Sequence, residues 1–221
     1  MDAWDTVRFA ASAGNFLKFG LQVNHSKGFI IGGLSAGGNL GAMLAQKAKD
    51  EGLQPPLTGQ YLGWPAIMLH ESIVPEIYKH LWFSPVQNAD DPTESWEDVM
   101  RFMKGMQLDP KSSWWSPLNV AGIDRPQLEA LPKAFIQTSG GDNLRDEGLV
   151  YARCLKDSGV ETLTQCFKGL PHASQIFYPH LESSKRQCGD LARGMAWLLD
   201  IGMEDWNSGQ ANRIMSGIVE S

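Results

Sequence analysis

A chain of 221 residues with 43% hydrophobic content is long enough to bury the core of one domain with mixed α and β structure. With 19 basic against 25 acidic residues the formal charge is -6, so no basic stripe is available to follow a phosphate backbone, and nucleic acid is excluded as a natural partner. The opening Met1-Asp2-Ala3-Trp4-Asp5 has an acid where a secretory leader needs positive charge, and no apolar run reaches the length of a membrane span, which points to a cytoplasmic protein.

In chain order, Trp4, Val7, Phe9, Ala10, Ala11, Phe16 and Leu17 recur at helical spacing and predict one helix over 3–20, stopped by Gly20. Gly28-Phe29-Ile30-Ile31-Gly32 is apolar without alternation, the pattern of a strand covered on both faces of its sheet. A glycine-rich turn follows, and Leu40, Met43, Leu44 and Ala48 then mark a helix over 36–50 that Gly52 ends. A second strand is expected over 57–64, between Pro55-Pro56 and Pro65. Residues 66–130 lose this rhythm; their prolines, aromatics and one amphipathic stretch, Trp96 to Met103, read as an inserted cap.

Strand character returns over 134–138, followed by a helix over 145–158 and a last strand over 162–167. A final helix over 183–199 carries Leu191, Met195, Leu198 and Leu199 on one face, and the tail after Gly202 is expected to be loosely held. Strands alternating with helices predict an α/β fold, a mostly parallel sheet flanked by helices, in one domain.

The chemistry centres on Gly33-Leu34-Ser35-Ala36-Gly37, which falls between a predicted strand and a predicted helix. A serine hydroxyl is a poor nucleophile at neutral pH and needs a base beside it and donors around the oxyanion it creates. The pattern alone is short enough for chance to supply; the strand before it and the helix after it are the context of a nucleophile elbow, with glycines allowing the two elements to approach. The Ala36 amide, at the mouth of the helix, is a natural oxyanion donor. A phosphate-binding loop fits less well, since Gly32 to Gly38 lacks both the Lys-Ser/Thr ending and the Gly-x-Gly-x-x-Gly spacing.

On this architecture an acid and then a histidine are expected on loops after later strands. Asp142 follows the strand over 134–138 and is the candidate acid, with Asp146 and Glu147 as alternatives and a helix-capping role as the plainer reading. His172 follows the last strand in Gly169-Leu170-Pro171-His172 and is the candidate base, with His180 as the substitute. His25, His70 and His80 read as structural or surface residues. Cys154, Cys166 and Cys188 form no Cys-x-x-Cys pair and read as free, buried or partly buried thiols; neither a metal nor a cofactor is called for. Trp82, Phe83, Trp96, Phe102, Met103, Met106, Trp114 and Trp115 could wall a hydrophobic pocket or simply pack the cap onto the core.

Three stretches, Gly33-Leu34-Ser35-Ala36-Gly37-Gly38-Asn39-Leu40, Asp142-Asn143-Leu144-Arg145-Asp146-Glu147-Gly148 with Tyr151-Ala152, and Gly169-Leu170-Pro171-His172, resemble the hormone-sensitive-lipase-like branch of the α/β hydrolases, small serine carboxylesterases. The resemblance implies Ser35 as nucleophile, Asp142 as orienting acid, His172 as base, the Ala36 amide as oxyanion donor, and a small, short-acyl ester as substrate. The family often has an acidic residue where Leu34 stands. By the same resemblance the chain starts near the family's middle: the N-terminal strands and a His-Gly-Gly-Gly-type oxyanion loop are expected to be missing, the strand at 28–32 to stand at an open sheet edge, and turnover to suffer about 100- to 1000-fold from the lost donor. An active esterase, a non-catalytic binding protein on the same fold and an inactive fragment all remain open on these residues.

Overall fold

The computed structural model describes residues 2–107, 109, 112, 115–118 and 128–201. Four strands, β1 (Ile30–Leu34), β2 (Gly59–Gly63), β3 (Lys133–Ser139) and β4 (Thr162–Phe167), pair in that order, every pair parallel. Between β1 and β2 runs a helix, Ala36–Asp50, and between β3 and β4 another, Arg145–Asp157; a third, Glu182–Leu198, follows β4. Before β1 lie α1 (Ala3–Ala11) and α2 (Gly14–Leu17), so the three become α3, α6 and α8, with the short α4 (Ser84–Gln87), α5 (Trp96–Gly105) and α7 (Ser174–Phe177) between them.

The pleat explains the layering. Leu62 and Ile136 point to the face where Ala42 of α3 and Val150, Tyr151 and Leu155 of α6 complete one core cluster. Their neighbours Tyr61 and Phe135 point the other way and stack on each other, centroids 5.5 Å apart, under Leu191, Met195 and Leu198 of α8. Fully burying a side chain such as Phe135 contributes about 1.5–3 kcal/mol, and both faces of the two central strands are covered in this way.

Two of the expected elements need correction. The helix over 3–20 is broken, because side chains from beyond its end take the carbonyls that a continuing helix would use. Asn15 donates its amide to the Phe9 carbonyl at 2.9 Å, and His25 Nε2 lies 2.8 Å from the Ala10 carbonyl. Ser12 accordingly turns extended at the end of α1, while Gly20, at φ 72°, does end the second piece. The strand expected over 28–32 begins at Ile30, runs on to Leu34, and is not covered on both faces: its residues are half-buried and Gly32 is exposed, because β1 is an edge strand of the described sheet.

The segment after β2 keeps residues 64–69 buried and then passes through short 3-10 turns at Glu71–Ile73 and Glu76–Leu81 before α4 and α5. The amphipathic stretch at Trp96 starts α5, with Ser95 as its cap and Val99 as its buried residue. Of the aromatic and methionine side chains singled out there, Trp96, Met103 and Trp115 pack on Ala66, Leu69 and Leu144, and Trp82 meets Trp96 edge to face. Phe83, Phe102 and Met106 are exposed. Trp114 and the tail after Gly202 lie outside the described residues. Cys154 is buried and Cys188 half-buried, whereas Cys166, expected to be at least partly covered, is exposed on β4, the far edge strand. Among the described residues, no helix is long and apolar enough to cross a membrane.

Candidate active site

All four strands run the same way, so the loops leaving their C-terminal ends gather along one edge of the sheet. Ser35 leaves β1, Asp142 follows β3 and His172 follows β4, and that shared edge brings together three residues far apart in sequence.

Ser35 sits at φ 53°, ψ -120°, a conformation that costs a non-glycine residue about 1–3 kcal/mol. Backbone bonds hold it there. Its N–H donates to the Gly63 carbonyl at 2.8 Å, and its own carbonyl accepts from Gly38 at 2.9 Å, Asn39 at 3.1 Å and Ala66 at 3.3 Å. Asn39 adds a brace from α3, donating its side-chain amide to the Ala66 and Trp115 carbonyls at 2.8 and 2.9 Å. The Ala36 amide is the first of α3 and has no carbonyl one turn behind it to bond.

The glycines divide the work differently from the five-residue pattern. A Cβ on Gly33 would stand 2.3 Å from the Gly37 carbonyl oxygen, and one on Gly38 would stand 2.9 Å from Pro65, while one on Gly37 would meet open space. Gly33→Ala is therefore expected to cost about 1–3 kcal/mol or more of stability, because the clash is with backbone. Gly37→Ala should stay within about 0.5 kcal/mol of the parent. Urea unfolding of the two variants checks the contrast, and equal losses would contradict it.

His172 is buried, and the next residue, Ala173, is left-handed at φ 45°, ψ 36°. Its Nε2 is 3.0 Å from Ser35 Oγ, and its Nδ1 is 2.8 Å from Asp142 Oδ2. The other carboxylate oxygen of Asp142 accepts from the Leu144 N–H at 2.7 Å. Burial disfavours charge on both members of the pair, drawing the imidazole pKa down and pushing the carboxyl up. For His172 the hydrogen bond and charge of Asp142, with the charges of Glu94 and Asp91, outweigh burial, and its pKa stands above the ordinary histidine value. A hydroxyl proton can pass from Ser35 to Nε2 while Asp142 keeps the proton on Nδ1.

The alternative acids are occupied elsewhere. Asp146 pairs with Arg145 and accepts from the Phe83 and Ser84 amides, each at 2.7 Å. Glu147, fully buried, accepts from the Met68 and Leu69 amides and the Trp82 indole. His180 is exposed, His25 ties α1 to the loop before β1, and His70 caps the turn at Ser72. Sequence reasoning overlooked Asp91, Thr93 and Asn88, which reach the acid and base loops from the segment between β2 and β3. Asn88-Ala89-Asp90-Asp91-Pro92-Thr93 reads only as a polar turn, and no local signal marks it.

Fold and site together define an α/β protein with a strand–turn–helix serine facing a histidine–carboxylate pair at the C-terminal edge of a parallel sheet. A family model described as alpha/beta hydrolase fold matches residues 1–176, and the chain belongs to that family, in its hormone-sensitive-lipase-like branch. It is 34% identical over 198 residues to an AB hydrolase superfamily protein of Schizosaccharomyces pombe, a match covering 90% of this chain and 56% of that protein. It is 30% identical to a versiconal hemiacetal acetate esterase of Dothistroma septosporum, over 78% of this chain and 51% of that one. Among solved structures, a vibralactone cyclase superposes with TM-score 0.80 at 32% identity, covering 89% of this chain and 55% of that one. The chain thus spans about half the length of the curated relatives it matches.

Proposed function

We infer that this chain carries the catalytic serine, acid and base of a carboxylic ester hydrolase. The observation that carries the reading is the alignment of Ser35 Oγ, His172 Nε2 and Nδ1, and Asp142 Oδ2 at 3.0 and 2.8 Å, on a serine held at a positive φ. In the first half-reaction His172 takes the Ser35 proton as Oγ attacks the ester carbonyl. The Ala36 amide donates to the oxyanion, and His172 then protonates the leaving alcohol. Water, activated by the same imidazole, releases the acid and regenerates Ser35.

The substrate class we favour is a small ester with a short acyl group, in the chemistry of secondary metabolism. The relative from Dothistroma septosporum, named as an acetate esterase, supports that choice. In this reading the described part of the segment between β2 and β3 acts as a cap, with exposed Phe83, Phe102 and Met106 as candidate contacts for the apolar part of a substrate. The purified chain is expected to hydrolyse p-nitrophenyl acetate and to be labelled by a fluorophosphonate at Ser35. Ser35→Ala should abolish both. A rate that survives the substitution sinks the assignment, and ligand binding without acylation would favour a binding protein on the same fold.

A further inference from the structure

The backbone of His172 is gripped by a segment that lies about 80 residues earlier in the chain. Its N–H donates to Asp91 Oδ2 at 2.8 Å, and its carbonyl accepts from Thr93 Oγ1 at 3.1 Å. The other oxygen of Asp91 accepts from the Thr93 N–H at 2.8 Å and lies 2.6 Å from Thr93 Oγ1, so the single hydroxyl proton is shared between this carboxylate oxygen and the His172 carbonyl and ties the two together. The same segment also reaches the acid loop. Asn88 donates to the carbonyls of Gly140 and Asp142 at 3.1 and 2.8 Å, and Asn143, beside Asp142, donates back to the Glu94 carbonyl.

Asp91 is only 5% exposed and takes all these bonds from neutral donors. Burying a carboxylate costs free energy unless its bonds recover it, and a turn on the surface has no need of that arrangement. A left-handed alanine follows His172, so the loop has a strained joint next to the residue whose ring must stay aligned. Resting on the hydrolytic reading above, we propose that Asp91 and Thr93 are positioning residues that clamp the His172 backbone and so hold its imidazole in line between Ser35 and Asp142.

The clamp has a chemical signature distinct from mere folding. The charged groups facing His172 are Asp142, Glu94 and Asp91, all acting to keep the ring protonated. Asp91→Asn removes one of those charges and sets an amide NH2 against either His172 N–H or Thr93, so it should loosen the ring and also move the acid limb of the rate profile to lower pH. Thr93→Val is nearly isosteric and deletes only the hydroxyl, while Thr93→Ser keeps it. Misplacement of a reacting group by about 1 Å can cost about 100-fold in rate.

The test measures kcat and KM for p-nitrophenyl acetate, with pH profiles, in the full chain and in Asp91→Asn, Thr93→Val and Thr93→Ser. The ring resonances of His172 are followed in parallel by NMR on 15N-histidine-labelled protein. We expect Asp91→Asn and Thr93→Val to lose about 10- to 100-fold in kcat with KM within about two-fold, and Thr93→Ser to recover most of that loss. The His172 Nδ1–H resonance, sharp in the parent, should broaden or shift in Asp91→Asn and Thr93→Val alone. Unchanged kcat and an unchanged resonance in both of those variants would overturn the clamp. If the parent chain turns over no ester, the hydrolytic reading fails, and the resonance by itself then decides: altered in both variants it supports the clamp, unaltered it overturns it.

Discussion

Asparagine in place of Asp142 is expected to lower kcat for p-nitrophenyl acetate about 10,000-fold while leaving the fold intact. The two oxygens of Asp142 have separate duties, Oδ1 on the Leu144 N–H at 2.7 Å and Oδ2 on His172 Nδ1 at 2.8 Å. An asparagine that keeps its oxygen on Leu144 must turn its NH2 toward Nδ1. That nitrogen then accepts, the ring proton moves to Nε2, and the base presents a proton to Ser35 instead of a lone pair. The loss of charge also shows in the pH profile. In the parent the rate should rise with pH through a pKa above the ordinary histidine value of 6.5, since only neutral His172 can take the serine proton. Without the Asp142 charge that midpoint should fall. A loss under tenfold would take Asp142 out of the role and reopen it to another carboxylate.

The largest effect on stability is expected from Glu147→Ala. This carboxylate is wholly buried and is the acceptor for the Met68 and Leu69 amides, the latter at 3.1 Å, and for the Trp82 indole at 3.3 Å. Each buried donor left without a partner costs about 1–3 kcal/mol, so the three together should cost roughly 3–9 kcal/mol in urea unfolding at neutral pH. Burial pushes the Glu147 carboxyl up to about 7, the donors from Met68, Leu69 and Trp82 offsetting only part of the rise. Because the folded-state pKa is raised above the ordinary 4.5, the folded protein holds more protons than the unfolded chain between the two values. The stability linked to Glu147 is therefore complete below about pH 4.5 and is lost as pH rises through about 7. In Glu147→Gln this contribution to the slope of stability against pH should vanish. A slope identical to the parent's would show that Glu147 does not titrate there.

Glu147 also illustrates how far local sequence could be read. Its place in the first turn of α6 suits the helix dipole, and the sequence offered it only as an alternative to Asp142. Its actual partners come from a segment 78 and 79 positions away, which no spacing rule reaches. The same holds for the break after α1. Apolar periodicity continues across Ser12 and Ala13, and only the arrival of His25 and Asn15 at the Ala10 and Phe9 carbonyls ends the helix. The crowd of aromatic residues after β2 announced a departure from the sheet rhythm. Which of them pack, as Trp82 and Trp96 do, and which stand exposed, as Phe83 and Phe102 do, depended on the neighbours that each one found.

By itself the sequence determined the features whose causes are local: the parallel strand–helix alternation, the bounds of β4 at Thr162–Phe167, and the elbow that lifts Ser35 between a short apolar strand and the helix that follows it. It also set the order serine, acid, histidine, because in a parallel sheet every strand delivers its following loop to the same edge. Tertiary structure alone decided that Gly38 rather than Gly37 makes the second close approach at the elbow, that Asp142 rather than Asp146 or Glu147 reaches His172, and that Asp91 and Thr93 hold the histidine's backbone. The physical reason is range. Propensity and periodicity act over a few residues, whereas a steric clash, a shared proton or a buried carboxylate's bonds depend on which distant surfaces the packed core brings within about 3 Å of each other.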